Sequence, residues 1–132
     1  LLLLSNDGDL IARLTHPRYG HRKLYDVEVA GYRGDESLAR LLAPMTLEGH
    51  ELSPVEIRPL RRVGRRTWLR FVLREGRNRQ IRRMCAKAGL QVLSLARIGI
   101  DSLRLGRLKP GEWRDLSPEE LARLHSRKAP PL

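Results

Sequence analysis

Residues 67–90, TWLRFVLREGRNRQIRRMCAKAGL, change their periodicity half-way. Up to Leu73 the apolar residues alternate. Leu69, Phe71 and Leu73 fall on one side and Trp68, Arg70, Val72 and Arg74 on the other, the period-two pattern of a half-buried strand. After Glu75-Gly76-Arg77 the spacing becomes i, i+3, i+4, i+7 at Ile81, Met84, Cys85 and Ala88, one face of a helix, and Gly89 suits its C-terminal stop. A strand therefore runs into a helix through an arginine-rich connection. Arg77, Arg79, Arg82 and Arg83 crowd that junction. They form either a general surface for a polyanion or part of an active site.

Upstream, Val55–Val63 reads as a strand that Pro59 restricts to an edge or a bulge, and Gly64-Arg65-Arg66 turns it into the strand at 67–74. Lys23–Ala30 alternates, with Tyr25, Val27 and Val29 sharing one face. Asp9–Leu14 is a short helix closed before Pro17, and Glu36–Leu42 is a helix with Leu38, Leu41 and Leu42 on one side. Leu1–Leu4 reads as a buried strand ended by the turn Ser5-Asn6-Asp7-Gly8. Downstream, Leu90–Ile98 is strand-like, and a second strand pair is expected over Ser102–Leu116 around Lys109-Pro110-Gly111. Ser117-Pro118-Glu119-Glu120 is a capping box with proline at the first helical position. With no repeat and no linker, the chain reads as one α+β domain over residues 1–126 with a flexible tail at 127–132.

The 132 residues carry a formal charge of +11. Nearly all of it comes from residues 58–83, which hold 11 arginines against Glu75 alone. Residues 1–57 are net acidic. An excess so localised points to a polyanionic partner, most often nucleic acid, and the planar guanidinium suits phosphate. Cys85 is the only cysteine, so no internal disulfide forms and a cytoplasmic location is the simplest reading. His16, His21, His50 and His125 lack metal-ligand spacing, and no apolar run approaches the ~20 residues of a membrane span. On a helical wheel Arg79, Arg83 and Lys87 point into solvent, as phosphate binders would. Arg82 borders the apolar stripe beside Cys85. There it either lays its stem on the core with its head in water, which spacing alone favours, or reaches into a cleft.

EGRNRQIRRM, with LLLLSNDGDLIARLTHPRYGHRKLYDVEV before it and VLSLARIGIDSLRLGRLKPGEWRDLSPEE after it, resembles the catalytic domain of bacterial ribosomal RNA pseudouridine synthases of the RsuA/RluB/RluE type. The resemblance runs from Leu1 to about Leu124 in three ordered blocks. It implies a mixed, mainly antiparallel sheet flanked by helices, a monomer without cofactor or metal, and a ribosomal RNA substrate, large-subunit RNA by the EGRNRQIRRM and PGEWR segments. The reaction implied cleaves the C1′–N1 bond of a uridine, turns the uracil and rejoins it through C5. The arginine of the Gln-Ile-Arg motif, Arg82, pairs with a reacting aspartate. Tyr25 of the Lys-x-Tyr motif stacks on the flipped base, and Leu95 lines the pocket. Lys23, Arg77, Arg79 and Arg83 complete the substrate-binding set.

These residue types fit such chemistry. A carboxylate in a closed pocket loses its charge unless a cation holds it ionised, and a base taken out of its stack favours a flat aromatic partner. Read without the resemblance, Tyr25 is equally a core tyrosine with its hydroxyl bonded to backbone. In the family the aspartate sits in a Gly-Arg-Leu-Asp segment running into the leucine-rich strand. The expectation is therefore that it precedes Leu1 and that residues 1–132 alone are inactive. Asp7 and Asp9 read as turn and helix-start residues. His16-Pro17-Arg18-Tyr19 is expected beside the cleft. A non-catalytic RNA-binding module fits the charge as well, but six aromatics are few for a base-stacking platform. An acidic-membrane binder lacks the amphipathic helix it needs.

Overall fold

The alternating stretch at 23–30 forms the central strand. A computed structural model, which describes residues 1–16, 19–77 and 79–126, places β1 (Lys23–Ala30) between β5 (Arg66–Leu73) and β6 (Gln91–Ile100), antiparallel to both. β4 (Glu56–Val63) pairs outside β5 and β7 (Leu103–Arg104) outside β6, giving the sheet order β4-β5-β1-β6-β7. The remaining elements are α1 (Gly8–Thr15), α2 (Asp35–Leu42), a small hairpin of β2 (Thr46–Leu47) and β3 (His50–Glu51), α3 (Gln80–Lys87) and α4 (Pro118–His125). This is the expected α+β arrangement of an antiparallel sheet flanked by helices.

The core follows from the period-two pattern. Val27 and Val29 of β1 and Leu69, Phe71 and Leu73 of β5 point to one face and are almost wholly buried. Ile81, Met84 and Cys85 of α3 and Ala88 at its C-terminal cap, Leu41 of α2 and Leu47 of β2 cover them, with Leu90. Each of the larger apolar side chains, the valines, leucines, isoleucine, phenylalanine and methionine, contributes about 1.5–3 kcal/mol by leaving water. Burial pushes the Cys85 thiol up to about 12, as an inert core cysteine requires. A second cluster, Leu10, Leu103 and Leu124, joins α1 and α4 at the β7 end, where Leu1, Leu3 and Leu116 pack against it.

Local chemistry sets the ends of α3 and α4. Gly89, at φ +79, closes α3 with Gly89 N–H donating to Ala86 O (3.1 Å) and Leu90 N–H to Cys85 O (2.8 Å). That is a complete Schellman motif. The capping box at Ser117 and Glu120 forms as read, with Ser117 Oγ accepting from Glu120 N–H and Glu120 from Ser117 N–H.

Three expectations change. Leu1–Leu4 is not a strand: Leu2 and Leu4 are exposed, and only Leu1 and Leu3 reach the second cluster. Leu42 is exposed, while Ser37 is buried and accepts from Arg33 N–H (2.7 Å). The strand pair over 102–116 reduces to β7. The Lys109–Glu112 turn forms, but beyond Leu105, whose N–H donates to Ile98 O of β6 (2.8 Å), no further strand follows, and Leu105, Leu108 and Leu116 line a groove of about 680 Å³ with Leu1–Leu4. The β2–β3 hairpin has no counterpart in the sequence reading. The tail at 127–132 lies outside the described residues, as do Pro17 and Arg18.

β4 is an outer strand whose register with β5 breaks between Pro59 and Arg61, as Pro59 foretold. Leu69→Ala should therefore cost about 2–5 kcal/mol in urea denaturation. Val63→Ala, at an exposed position of β4, should stay within about 0.5 kcal/mol. Equal effects would contradict this placement of the core.

Candidate active site and nucleic-acid surface

The sheet face that carries the core also carries Lys23 and Tyr25, since β1 pairs with β5 without interruption from Lys23 to Ala30. Tyr25 is half-buried and packs on the edge of the main core, opposite Phe71 on β5 and Arg97 on β6. Its hydroxyl makes no hydrogen bond to any other described residue, which removes the reading of a core tyrosine tied to backbone. Leu95, two residues before Arg97 on β6, stands opposite Val27 and is also half-buried against the core. Tyr25, Leu95 and Arg97 thus share one side of adjacent strands.

Lys23 links this group to the loop before α3. Its Nζ lies 3.1 Å from where a Cβ on Gly76 would stand, so a glycine in the Glu75-Gly76-Arg77 turn gives the ammonium its room. Burial, and then the nearby charge of Arg97, hold the Lys23 ammonium below its usual pKa, while Asp101 offsets part of the shift. Arg97 was not read from the sequence as a candidate. Its signal was a lone charge inside VLSLARIGI, residues 92–100. The guanidinium donates through Nε (3.2 Å) and Nη2 (2.9 Å) to Leu1 O, and the Leu1 amino group donates to Arg97 O (2.9 Å). Leu1 is therefore held beside the strand position that faces Tyr25.

The arginines of the junction separate, though not as the helical wheel expects. Arg82 is exposed and without an ion-pair or hydrogen-bond partner among the described residues. Arg83 is half-buried and paired with Glu48 (2.6 Å), and Lys87 donates to Thr46 O. Both turn towards the β2–β3 hairpin, which a wheel drawn on α3 alone does not contain. Arg79 precedes the helix in the left-handed conformation, φ +53, and is exposed. Arg77 lies 3.7 Å from Glu75, which also accepts from Ser53 N–H (2.8 Å) and faces His50 (3.5 Å). Glu75 thus ties the connection before α3 to the segment after the hairpin.

Across residues 58–83, Arg66 pairs with Glu28 (3.7 Å) and Arg70 with Asp26 (2.8 Å). Together with the Arg77 and Arg83 pairs, this leaves Arg58, Arg61, Arg62, Arg65, Arg74, Arg79 and Arg82 without a carboxylate partner among the described residues. Arg61 lies over the Trp68 ring, 5.3 Å from its centroid, a cation–π contact on the sheet face away from the core. No described group of three or more His, Cys, Asp or Glu side chains could hold a metal ion, and no described helix is long and apolar enough to cross a membrane.

Residues 1–87 match the RNA pseudouridylate synthase family. The chain belongs to that family. The relatives it resembles are of the RsuA/RluB/RluE type. It is 40% identical over 124 residues to an uncharacterized RNA pseudouridine synthase of Aquifex aeolicus, covering 94% of this chain and 50% of the relative. It is 37% identical over 129 residues to the ribosomal large subunit pseudouridine synthase E of Xanthomonas campestris, covering 86% and 69%. The crystal structure of a pseudouridylate synthase superposes with a TM-score of 0.76 at 27% identity, covering 91% of this chain and 52% of that one. The chain spans about half the length of the Aquifex relative and of that crystal structure. Within the family fold, Lys23, Tyr25, Leu95 and the Glu75–Arg77 turn gather at one end of the core-facing side of the sheet.

Lys23 should lose its proton at lower pH than a free lysine side chain does when its Nζ and Cε signals are followed by NMR. Arg97→Gln removes a repelling charge and should raise the Lys23 midpoint. Asp101→Asn removes an attracting one and should lower it further. A midpoint indifferent to both changes would separate Lys23 from this cluster.

Proposed function

We propose that the protein isomerises specific uridines of ribosomal RNA to pseudouridine, in large-subunit RNA, as a cytoplasmic monomer in which residues 1–126 belong to the catalytic domain. The observation that supports this best is Tyr25, a half-buried ring with an unbonded hydroxyl on the core-facing side of the sheet, in a chain of this family. The names of the Xanthomonas relative and of the Bacillus subtilis ribosomal large subunit pseudouridine synthase B favour the large subunit. A non-catalytic RNA-binding module would use the same arginines but has no need of such a tyrosine.

In this reading the target uridine leaves its stack and its base lies on Tyr25, with Leu95 closing the apolar side. The C1′–N1 bond breaks, the uracil turns, and C5 bonds to C1′. The C5 proton is then released and N1 gains one, so that the reaction is an isomerisation with no net oxidation. Lys23, Arg77, Arg79 and Arg83 hold the RNA, with Arg83 first exchanging Glu48 for phosphate. Arg82, free of partners among the described residues, is available to hold the reacting aspartate ionised and oriented.

Among the described residues no aspartate is joined to Arg82. Asp7 accepts from Leu10 N–H (3.1 Å), Asp26 is bound to Arg70, and Asp101 to His21. We assign the reacting carboxylate instead to the segment that the resemblance puts before Leu1. Isomerisation by the Leu1–Leu132 chain alone would return the role to Asp7 or Asp9.

Two experiments test the reading. Tritium release from C5-labelled uridine in ribosomal RNA, with the protein as its gene encodes it, should fall by about 10²–10⁴-fold in Arg82→Ala. That corresponds to about 3–5 kcal/mol for unpairing a charge in a closed site, with RNA affinity within a few-fold. Tyr25→Phe should keep binding and part of the rate, and Tyr25→Ala should lose both. Wild-type turnover in Arg82→Ala and Tyr25→Ala would exclude these roles.

The second experiment is a salt titration. If about four to six of the unpaired arginines meet phosphates, log K should fall with log[salt] at a slope of roughly −3 to −5. A slope near −1 would mean that this surface faces away from RNA.

A further inference from the structure

One buried carboxylate is tied directly to the strand that carries Tyr25. Asp101 sits in the two-residue connection between β6 and β7, where Ile100 pairs with Leu103. It is 6% exposed and adopts φ +49, the left-handed conformation that disfavours residues with a Cβ. Arg104 fastens this turn: its Nη1 donates to Asp101 O and to Leu103 O (3.0 Å). Gly99 makes room for it, since a Cβ there would stand 2.9 Å from Arg104 Nη1.

So held, the carboxylate faces the segment that enters β1. Asp101 Oδ2 is 2.5 Å from His21 Nδ1, Oδ1 accepts from Arg22 N–H (2.9 Å), and Asp101 N–H donates to Arg22 O (2.6 Å). Three bonds from one residue thus fix the two positions immediately before Lys23. The β1–β6 register shifts between Leu24 and Tyr25, and the pairing resumes at Leu24–Gly99 and Lys23–Ile100. The Asp101 contacts extend the hold on this bulged end of β1 outward to Arg22 and His21. A turn needed only for folding would be served by an uncharged asparagine or a glycine, whereas a buried carboxylate carries a desolvation cost. Strained, charged, fully engaged residues of this kind gather where geometry matters to function.

We propose that Asp101 and His21 form a clamp that sets the position of Lys23 and Tyr25, making Asp101 a positioning residue for the isomerisation. This rests on the function proposed above. It displaces no substrate contact and touches no reacting atom. It acts by keeping the Tyr25 ring where the base must lie, and misplacement of about 1 Å at such a site costs on the order of 10²-fold in rate.

The test uses the protein as its gene encodes it. Asp101→Asn keeps an acceptor for Arg22 N–H but loses the charge facing His21, and His21→Phe keeps ring volume and leaves the Asp101–Arg22 bonds intact. Each should lower kcat by about 10–100-fold with KM for RNA within about two-fold, and the double variant should be no worse than the weaker single one, because the pair acts as a unit. Backbone amide signals of Lys23 and Tyr25 should shift in both variants while those of α3 stay in place. Should Asp101→Asn fail to fold, His21→Phe carries both readouts alone. Wild-type kcat, a loss that merely follows the unfolded fraction, or strictly additive single effects would overturn the clamp. If the unmodified protein releases no tritium, the proposed function fails. The amide signals then decide the clamp: movement at Lys23 and Tyr25 supports it, and none overturns it.

Discussion

The structure depends on one strand being paired on both sides. β1 has β5 along its whole length and β6 along most of it, and the residues of all three strands that face the helices form the main core. Because side chains alternate with a period of two, this pairing fixes which of them enter the core and which enter the site. Lys23 and Tyr25 lie on the same side as Val27 and Val29, but at the end where helical cover gives out and Gly76 leaves space. The candidate site thus lies at the less buried end of the core, where Tyr25 stands opposite Phe71 on the neighbouring strand.

The second organising term is charge. A run of 11 arginines would repel itself if all were free. The fold answers with acids drawn from distant segments: Asp26 and Glu28 on the outer side of β1, and Glu48 at the tip of the small hairpin. Exposed pairs of this kind add little stability, about 0–1 kcal/mol each. Their effect is to sort the arginines into those occupied within the protein and those left facing solvent.

Where sequence reading succeeded, the information was local. The alternation of 67–74, the apolar spacing of Ile81, Met84, Cys85 and Ala88, the glycine after the helix and the Ser117 capping box each determine their own geometry within a few residues. Pro59 marked an irregular edge for the same reason. Where it failed, the deciding partner was remote. The orientation of Arg83 depends on Glu48, 35 positions away in a hairpin too short to leave a periodic signal. Ser102–Leu116 looked like a strand pair because apolar residues lining a groove, here with the distant Leu1–Leu4, resemble apolar residues lining a sheet. At the candidate site, Tyr25 could be read from strand alternation and from the family resemblance, and Lys23 from the resemblance. Arg97 and Asp101 could not, because their meaning lies in cross-strand register.

The outer edge of the sheet has a consequence for how copies of this molecule treat one another. An unpaired strand edge is a template on which a second chain can extend the sheet. Here the edge strand, β4, lacks a donor at Pro59, breaks its register at the next residues, and carries Arg58, Arg61 and Arg62. Two such edges repel each other while the arginines are bare. A bound polyanion cancels that repulsion, so under saturating nucleic acid the burden of keeping neighbouring sheets apart passes from charge to Pro59 and the broken register, which no counterion can neutralise.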